Sequence, residues 1–442
     1  MSAKAIERHV IEQLPPALGA WMTLERFHLH KPGLFQNTAR DPAFDGRYFP
    51  QHCRPFLLPC YWVPRRCLYV RGGQAPGVAQ LNFFAGGSTD ERVLFPIHPS
   101  AIDSYKTFLR DADARDAIAA GARIWAVPTS STRTLLAWPD GEARRAVFIK
   151  TSLHSRIFGD RHVSRLKVAR STGLYRVVRD SPVALPGALH FLPEVAGFSP
   201  RGVPDSGALI RLVPQQIVEG QVWVAPLFSL LGASEARQPL LLTLLERSDM
   251  EPVRWVDQVL CASFAPLWLE MTLRHGLILE AHAQDLLLGL HADGVPSGHF
   301  YYRDFEGLQV DWELRRARGW PAPHDLPNAW AWRETYATWG YRYSDLLWYK
   351  WRVSLFDYLH FVLNEVEASL REWHERGLLP GPRCEPDEIT MLFSRHMFAA
   401  VEKMFGVRGA KPYNIYRSLN RFVASLLKLR KAAMRSLGRC WR

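Results

Sequence analysis

Short apolar runs bounded by turn residues recur between residues 120 and 160, in ARIWAVPT, TLLAW and RAVFIKTSL, with PDGEAR between the last two. These runs predict strands, and Pro-Asp-Gly supplies the turn chemistry. Further along, residues 237–275, 345–375 and 388–435 carry the spacing of helices, and DLLLGLH, ADGVPS and GHFYYRDFEG between them predict a hairpin. The opening MSAKAIERHVIEQLPP is expected to form a short amphipathic helix capped by Ser2 and lacks the apolar core of a signal peptide. Proline-rich stretches at 180–207, 317–330 and 376–388 interrupt the pattern, because proline ends helices and is excluded from central strands. The fold class expected is α+β, with a β-rich middle and a helix-rich C-terminal part that carries the hairpin.

One stretch departs from ordinary core. In GLILEAHAQDLLLGL, residues 276–290, nine of fifteen residues are Leu, Ile or Ala, yet Glu280, His282, Gln284 and Asp285 interrupt them. Such groups are costly to bury without partners. A helix through WLEMTLRHGLILEAHAQ is expected to hand over to the strand DLLLGLH, placing the four polar groups at the junction. A capped, internally hydrogen-bonded junction and a ligand site both explain them at this stage.

Length and charge sharpen the picture. The 442 residues suggest two or three domains, with boundaries expected at 1–94, 95–236 and 237–442. No stretch approaches the apolar length of a membrane span. Six cysteines are too few for a disulfide framework, and Cys53, Cys60 and Cys67 lack the Cys-x-x-Cys pairs of zinc sites, which points to reduced thiols. The net charge of +12 is local: after Glu402 no acidic residue occurs and eleven Lys and Arg follow, leaving about +1 for the rest. That segment has a helical apolar stripe, Ile415, Leu419, Phe422, Leu426, Leu429 and Ala433. A basic amphipathic helix suits a membrane surface, a nucleic acid, an anion-binding cleft or plain solvation.

A second constellation lies upstream of the junction. PTSSTRTLLAW crowds Thr129, Ser130, Ser131, Thr132, Arg133 and Thr134 between apolar runs, and the run VFIK ends in Lys150, with Arg156, Arg161 and Arg165 beyond it. Hydroxyl donors beside Lys and Arg are what a polyphosphate requires. No Walker A loop, dinucleotide fingerprint, His-Glu-x-x-His or Gly-x-Ser-x-Gly motif occurs.

Together these blocks resemble the IucA/IucC family of NRPS-independent siderophore synthetases. The family's Ser-x-Arg-Thr segment is matched by Ser131, Arg133 and Thr134, and its Lys-x-Ser-Leu strand by Lys150, Ser152, Leu153 and then Ile157. Its Glu-Ala-His-x-Gln-Asn and Arg-Asp signatures appear as EAHAQD and YYRD, its His-Pro segment as FPIHPS, and its C-terminal pattern around Lys431 and Arg435. Asp285 stands where the family has Asn, Phe158-Gly159-Asp160 replaces Thr-Asn and its neighbour, and Arg161 falls one place early for the family's strand arginine.

The resemblance implies a thumb, fingers and palm arrangement and an ATP-dependent, amide-forming acid–amine ligase of siderophore biosynthesis, cytoplasmic and homodimeric. It implies that ATP meets Ser131, Arg133, Thr134, Lys150, Arg161, His282 and Gln284, with His282, Lys150 and Arg161 acting on the reacting phosphates. Asp304 and Glu280 would hold Mg²⁺, and His98, Lys431 and Arg435 a citrate-like carboxylate. An amine is the other substrate, and neither nucleic acid nor membrane is a partner. Two other readings stand beside it: a kinase-like phosphotransferase releasing ADP, and a polyanion-binding protein that uses the basic tail without catalysis.

Overall fold

The computed structural model describes residues 10–27, 46–52, 54–72, 91–153, 165–203, 206–232, 238–320 and 343–439. The chain divides into two compact units. The first comprises Met1–Val178, Leu192–Val224 and Asp304–Glu306; the second comprises Arg179–Phe191, Ala225–Arg303 and Gly307–Arg442. The expected N-terminal region and most of the expected middle domain thus fall within one unit. The helix expected at the N-terminus lies mostly outside the described residues.

The first unit is built on a seven-stranded antiparallel sheet. Its order is Phe56–Leu57, Ile124–Pro128, Thr134–Pro139, Val147–Thr151, Ala208–Leu212, Glu194–Pro200 and Leu68–Arg71. The three strands expected at 120–160 form its centre and are buried along their whole length. Both faces are covered, which is why these strands read as continuous apolar runs rather than as alternation. Gly141, at φ +76°, supplies the left-handed turn that the PDGEAR segment predicted. Leu135, Ala137, Val147, Ile149 and Ile210 share one core with Val63, Val93, Phe95 and Tyr105. On the opposite face the helix Arg165–Arg179 approaches closely at Gly197, where an added Cβ would lie 2.5 Å from Val168 Cγ1. Strand alternation puts Phe148 and Lys150 on this second face.

In the second unit the expected hairpin forms from Leu286–Leu290 and Pro296–Tyr302, and Leu189–Phe191 adds in parallel to Pro296–Tyr302. Helices occupy most of the remainder, including residues 252–274, 343–375, Glu388–Phe405 and Leu419–Arg439. Within the first of these the turns widen at Asp257–Ala262, ending at the carbonyl that Pro266, lacking an N–H, leaves without its helical donor. Two expectations need correction. The helix expected to run through Gln284 stops at Arg274, because Gly276 takes a left-handed φ of +64° and the chain continues as the short strand Leu277–Ile278. The helix expected over 388–435 is broken after Phe405 by Gly406, at φ +67°, and resumes at Leu419.

The basic C-terminal helix buries Leu419, Phe422 and Leu426 as its spacing requires, with Ile415 buried just ahead of it. It also buries a cation. Arg430 is 8% exposed and pairs with both oxygens of Asp311 and, at 3.1 Å, with Glu313. No helix among the described residues is long and apolar enough to cross a membrane. Cys60, Cys67, Cys261 and Cys384 are free thiols.

Candidate active-site residues

In the first unit the polar groups converge on the end of one strand. Register places Lys150 opposite Thr134 on one side and Leu209 on the other. Its side chain is 3% exposed, and Nζ donates to Asp304 Oδ1 at 2.9 Å, to Asp304 Oδ2 at 3.0 Å and to Glu306 Oε2 at 3.1 Å. Lys167, on the helix at Gly197, donates to the other oxygen of Glu306 at 2.6 Å. Burial opposes the charge on Lys150, yet the neighbouring carboxylates, Asp304 foremost, hold its ammonium above the usual lysine range. Burial likewise opposes ionisation of Asp304 and Glu306, and the Lys150 charge overrides it and pulls both below the carboxylate range. Asp304 adopts φ +83°, a left-handed backbone uncommon outside glycine, and its Oδ1 accepts the Glu306 N–H at 3.1 Å. Strain at such a residue persists only where surrounding contacts over-determine it.

The Thr129–Arg133 loop leads into the strand opposite Lys150. Ser131 Oγ accepts the Thr134 N–H at 3.1 Å, Thr132 lies at φ +63°, and the Arg133 carbonyl accepts from both the N–H and the hydroxyl of Thr151, each at 2.9 Å. Arg133 Nη1 is buried and has no hydrogen-bond partner. A buried Glu25 fixes this loop from outside: its carboxylate accepts from Ser130 N–H at 2.9 Å and from Trp21 Nε1 at 2.7 Å, and the Trp21 ring lies 4.8 Å from Phe148 on the Lys150 strand.

The second unit holds the EAHAQD segment as an irregular loop rather than a helix. Glu280 N–H donates to Tyr302 Oη at 3.3 Å, and Glu280 Oε2 lies where a Cβ on Gly307 would come within 1.9 Å. His282 Nδ1 accepts the Gln284 N–H at 3.3 Å, which leaves the proton of the neutral ring on Nε2. Burial lowers the His282 pKa to about 4, so the ring is neutral at pH 7. The half-buried ring sits 5.6 Å from Phe361. Arg303 braces the loop, with Nε donating to the Gln284 carbonyl at 2.8 Å and its backbone N–H to the Asp285 carbonyl at 2.9 Å.

Lys150, Ser131, Arg133, Thr134 and Asp304 all belong to the first unit, and Glu280, His282 and Gln284 to the second. Arg161 lies outside the described residues. Lys431 and Arg435 are exposed. His98 is fully buried: Nδ1 lies 2.7 Å from Ser100 Oγ and caps the following turn, and the ring packs on Tyr48 and Phe56. Among the described residues no group of three or more His, Cys, Asp and Glu is placed to hold a metal.

Four residues escaped sequence reasoning: Glu306, Lys167, Glu25 and Asp357. Glu306 was signalled by its Asp-x-Glu spacing from Asp304. Asp357 was signalled by standing alone in the apolar run SLFDYLHFVL. Nothing local to Glu25 ties it to residue 130.

The structure is similar to petrobactin biosynthesis protein AsbB from Bacillus anthracis str. Sterne, with a TM-score of 0.62 and 16% identity over 88% of this chain and 72% of that one. It is also similar to ATP-bound aerobactin synthetase IucA from a hypervirulent pathotype of Klebsiella pneumoniae, with a TM-score of 0.58 and 18% identity over 91% of this chain and 74% of that one. The fold is that of the NRPS-independent siderophore synthetases. Aerobactin synthetase IucC from a hypervirulent pathotype of Klebsiella pneumoniae matches less fully, with a TM-score of 0.55 and 16% identity over 81% of this chain and 65% of that one. Residues 253–347 match the family model described as ferric iron reductase FhuF-like transporter, a stretch that contains the EAHAQD loop and the hairpin of this synthetase fold. No curated protein matches the sequence.

Proposed function

We propose that this protein is an ATP-dependent ligase of siderophore biosynthesis that activates a carboxylic acid as its acyl-adenylate and joins it to an amine. The observation that carries this reading is the ion-pair cluster of buried Lys150 with half-buried Lys167, Asp304 and Glu306 beside Arg133, whose buried Nη1 has no partner. A donor buried without an acceptor is costly, and an anionic phosphate oxygen would satisfy it. Lys150, Arg133 and the hydroxyls of Ser131 and Thr134 are the groups proposed to meet phosphates in the first unit. In the second, His282 presents a neutral Nε2–H donor, with Gln284 beside it. Asp304 and Glu306, kept ionised by Lys150, are suited to Mg²⁺, which takes one or two carboxylates along with phosphate oxygens. Magnesium would supply neutralisation of polyphosphate charge.

Chemically, a substrate carboxylate oxygen attacks the α-phosphorus, an O–P bond forms, and the bond to the β-phosphate oxygen breaks to release pyrophosphate. The amine then attacks the acyl carbon: a C–N bond forms, the C–O bond to the phosphate breaks, and AMP and one proton leave. No protein nucleophile is needed, so the residues act by positioning and by charge stabilisation. The relatives' names, a petrobactin biosynthesis protein and two aerobactin synthetases, one of them ATP-bound, support this assignment. A citrate-like acid is the proposed carboxylate.

The test is product analysis with ATP, Mg²⁺ and a panel of carboxylates, using hydroxylamine as acceptor. Carboxylate-dependent AMP and pyrophosphate are expected. ADP with a phosphorylated substrate would replace this reading by phosphotransfer.

A further inference from the structure

Within the second unit, the end of the 252–274 helix meets the helix Trp312–Ala317, and several polar groups there lack partners. Arg315 is 3% exposed; its Nη1 donates to the His275 carbonyl at 2.9 Å, while its Nε is buried with no acceptor. The His275 ring is fully buried, and neither of its nitrogens makes a hydrogen bond. The Glu270 carboxylate stands 3.9 Å from His275 Nε2 and is taken by Arg274, at 3.0 Å. Arg318, half-buried, also has a buried Nε without an acceptor. Trp320 ties these groups together. Arg315 Cζ lies 5.2 Å and Arg318 Cζ 5.5 Å from its ring centroid, and the His275 ring stacks on it at 6.5 Å. Lys150, Arg211 and Arg430, which are also buried, each pair with a carboxylate. Arg315 and Arg318 pair with none among the described residues.

We infer that Arg315, Arg318 and His275, none of which is proposed to meet ATP, bind a small phosphate-type oxyanion. A buried guanidinium without a carboxylate is costly, and a phosphate supplies the missing charge and the missing acceptors together, through charge-assisted hydrogen bonds. Arg315 and Arg318 are three residues apart at the end of one helix and so project from the same side of it. Like charges so placed repel, and an anion held by both relieves that repulsion. The neutral His275 ring keeps one N–H to donate. The neighbouring charges set the ligand's valence. Glu270 neutralises Arg274, and Asp311 and Glu313 are taken by Arg430, so the charges of Arg315 and Arg318 remain, which a phosphate dianion matches. The Trp320 ring gives the site an apolar wall, and the lower dielectric beside it strengthens each bond to the anion. The site stands whether or not the protein adenylates a carboxylate.

The test is isothermal titration calorimetry of the full chain with inorganic phosphate, at an ionic strength held constant with NaCl, and with succinate as a carboxylate dianion in a separate arm. The wild type is expected to bind phosphate, and Arg318→Gln to weaken that binding about tenfold or more. A thermal melt of each sample checks that the variant is folded. Arg133→Gln runs in parallel, because Arg133 is proposed to meet the phosphates of ATP; it should keep the response that Arg318→Gln loses. Arg318→Lys serves if Arg318→Gln does not fold, and should also bind more weakly, since an ammonium does not reproduce the planar guanidinium fork. No phosphate binding by the wild type, binding unchanged in a folded Arg318 variant, or loss in Arg133→Gln alone overturns the inference. So does a succinate response that depends on Arg318 when phosphate gives none.

Discussion

At the scale of single residues, the decisive feature is one buried lysine facing two carboxylates. Lys150 is the shared cation of Asp304 and Glu306, and Lys167 also pairs with Glu306. Removing one partner of a buried ion pair leaves an uncompensated charge and typically costs 3–5 kcal/mol. Lys150→Met is therefore expected to destabilise the fold by ~3 kcal/mol or more in urea unfolding, because it removes the buried cation that Asp304 and Glu306 share. Asp304→Asn should cost less, since Glu306 still satisfies Lys150. If Asp304 also holds Mg²⁺, that milder variant should nevertheless lose about 10² to 10³ in adenylation rate and need more Mg²⁺. Normal turnover per folded molecule in Asp304→Asn would remove it from the reaction.

Among elements, the boundary between the 252–274 helix and the EAHAQD loop decides whether Glu280 and His282 stand on a helix face or in a loop. Gly276 makes that boundary. Its φ of +64° is left-handed, and an added Cβ would lie 3.1 Å from Arg315 Cγ and 3.2 Å from the Asp311 carbonyl oxygen. Gly276→Ala is expected to lower stability by ~1–3 kcal/mol, combining left-handed strain with that crowding, and to displace the loop that carries Glu280. Calorimetric unfolding checks the first effect and His282 ring resonances in NMR check the second. A variant of unchanged stability would show that the turn tolerates a side chain. The Leu286–Leu290 strand, the hairpin and the three central strands were legible in the sequence because their signals are local: apolar runs with Gly, Pro and Asp at the ends. The end of the helix was not, since a Gly inside a helical pattern reads equally as tolerated or terminal, and contacts with Asp311 and Arg315, some forty residues away in sequence, favour termination.

For the whole molecule, titration of buried histidines sets an acid limit. Burial lowers His98 to about 3 and His275 and His282 to about 4, the charges of Arg274, Arg315 and Arg318 adding to the effect at His275. All three are neutral when folded, whereas the unfolded chain protonates them below about 6.5. The unfolded state then binds more protons, so stability present above pH 6.5 is lost as pH falls towards 4. Asp357 acts in the opposite sense: raised to about 7, it contributes stability at low pH that disappears as pH rises through 7. Three histidines outweigh one aspartate, and stability should fall by ~1–2 kcal/mol per pH unit between pH 6 and 5. Urea unfolding across that range tests this, and a flat profile would refute it. Asp357→Asn should steepen the acid loss.

What the sequence determined by itself was everything set by neighbours in the chain: the strands of residues 120–160, the hairpin, the apolar stripe of the tail helix, and the polar blocks around Arg133, Lys150 and His282. Charge partners were a different matter. Lys150 meets Asp304 and Glu306 across more than 150 residues, Ser130 meets Glu25 across 105, and Arg430 of the basic tail meets Asp311 across 119. Lys431 and Arg435 point to solvent although they flank Arg430 on the same helix. No periodicity distinguishes these pairings, because a buried charge is held by whichever opposite charge the fold brings within reach, and only tertiary packing decides which one that is.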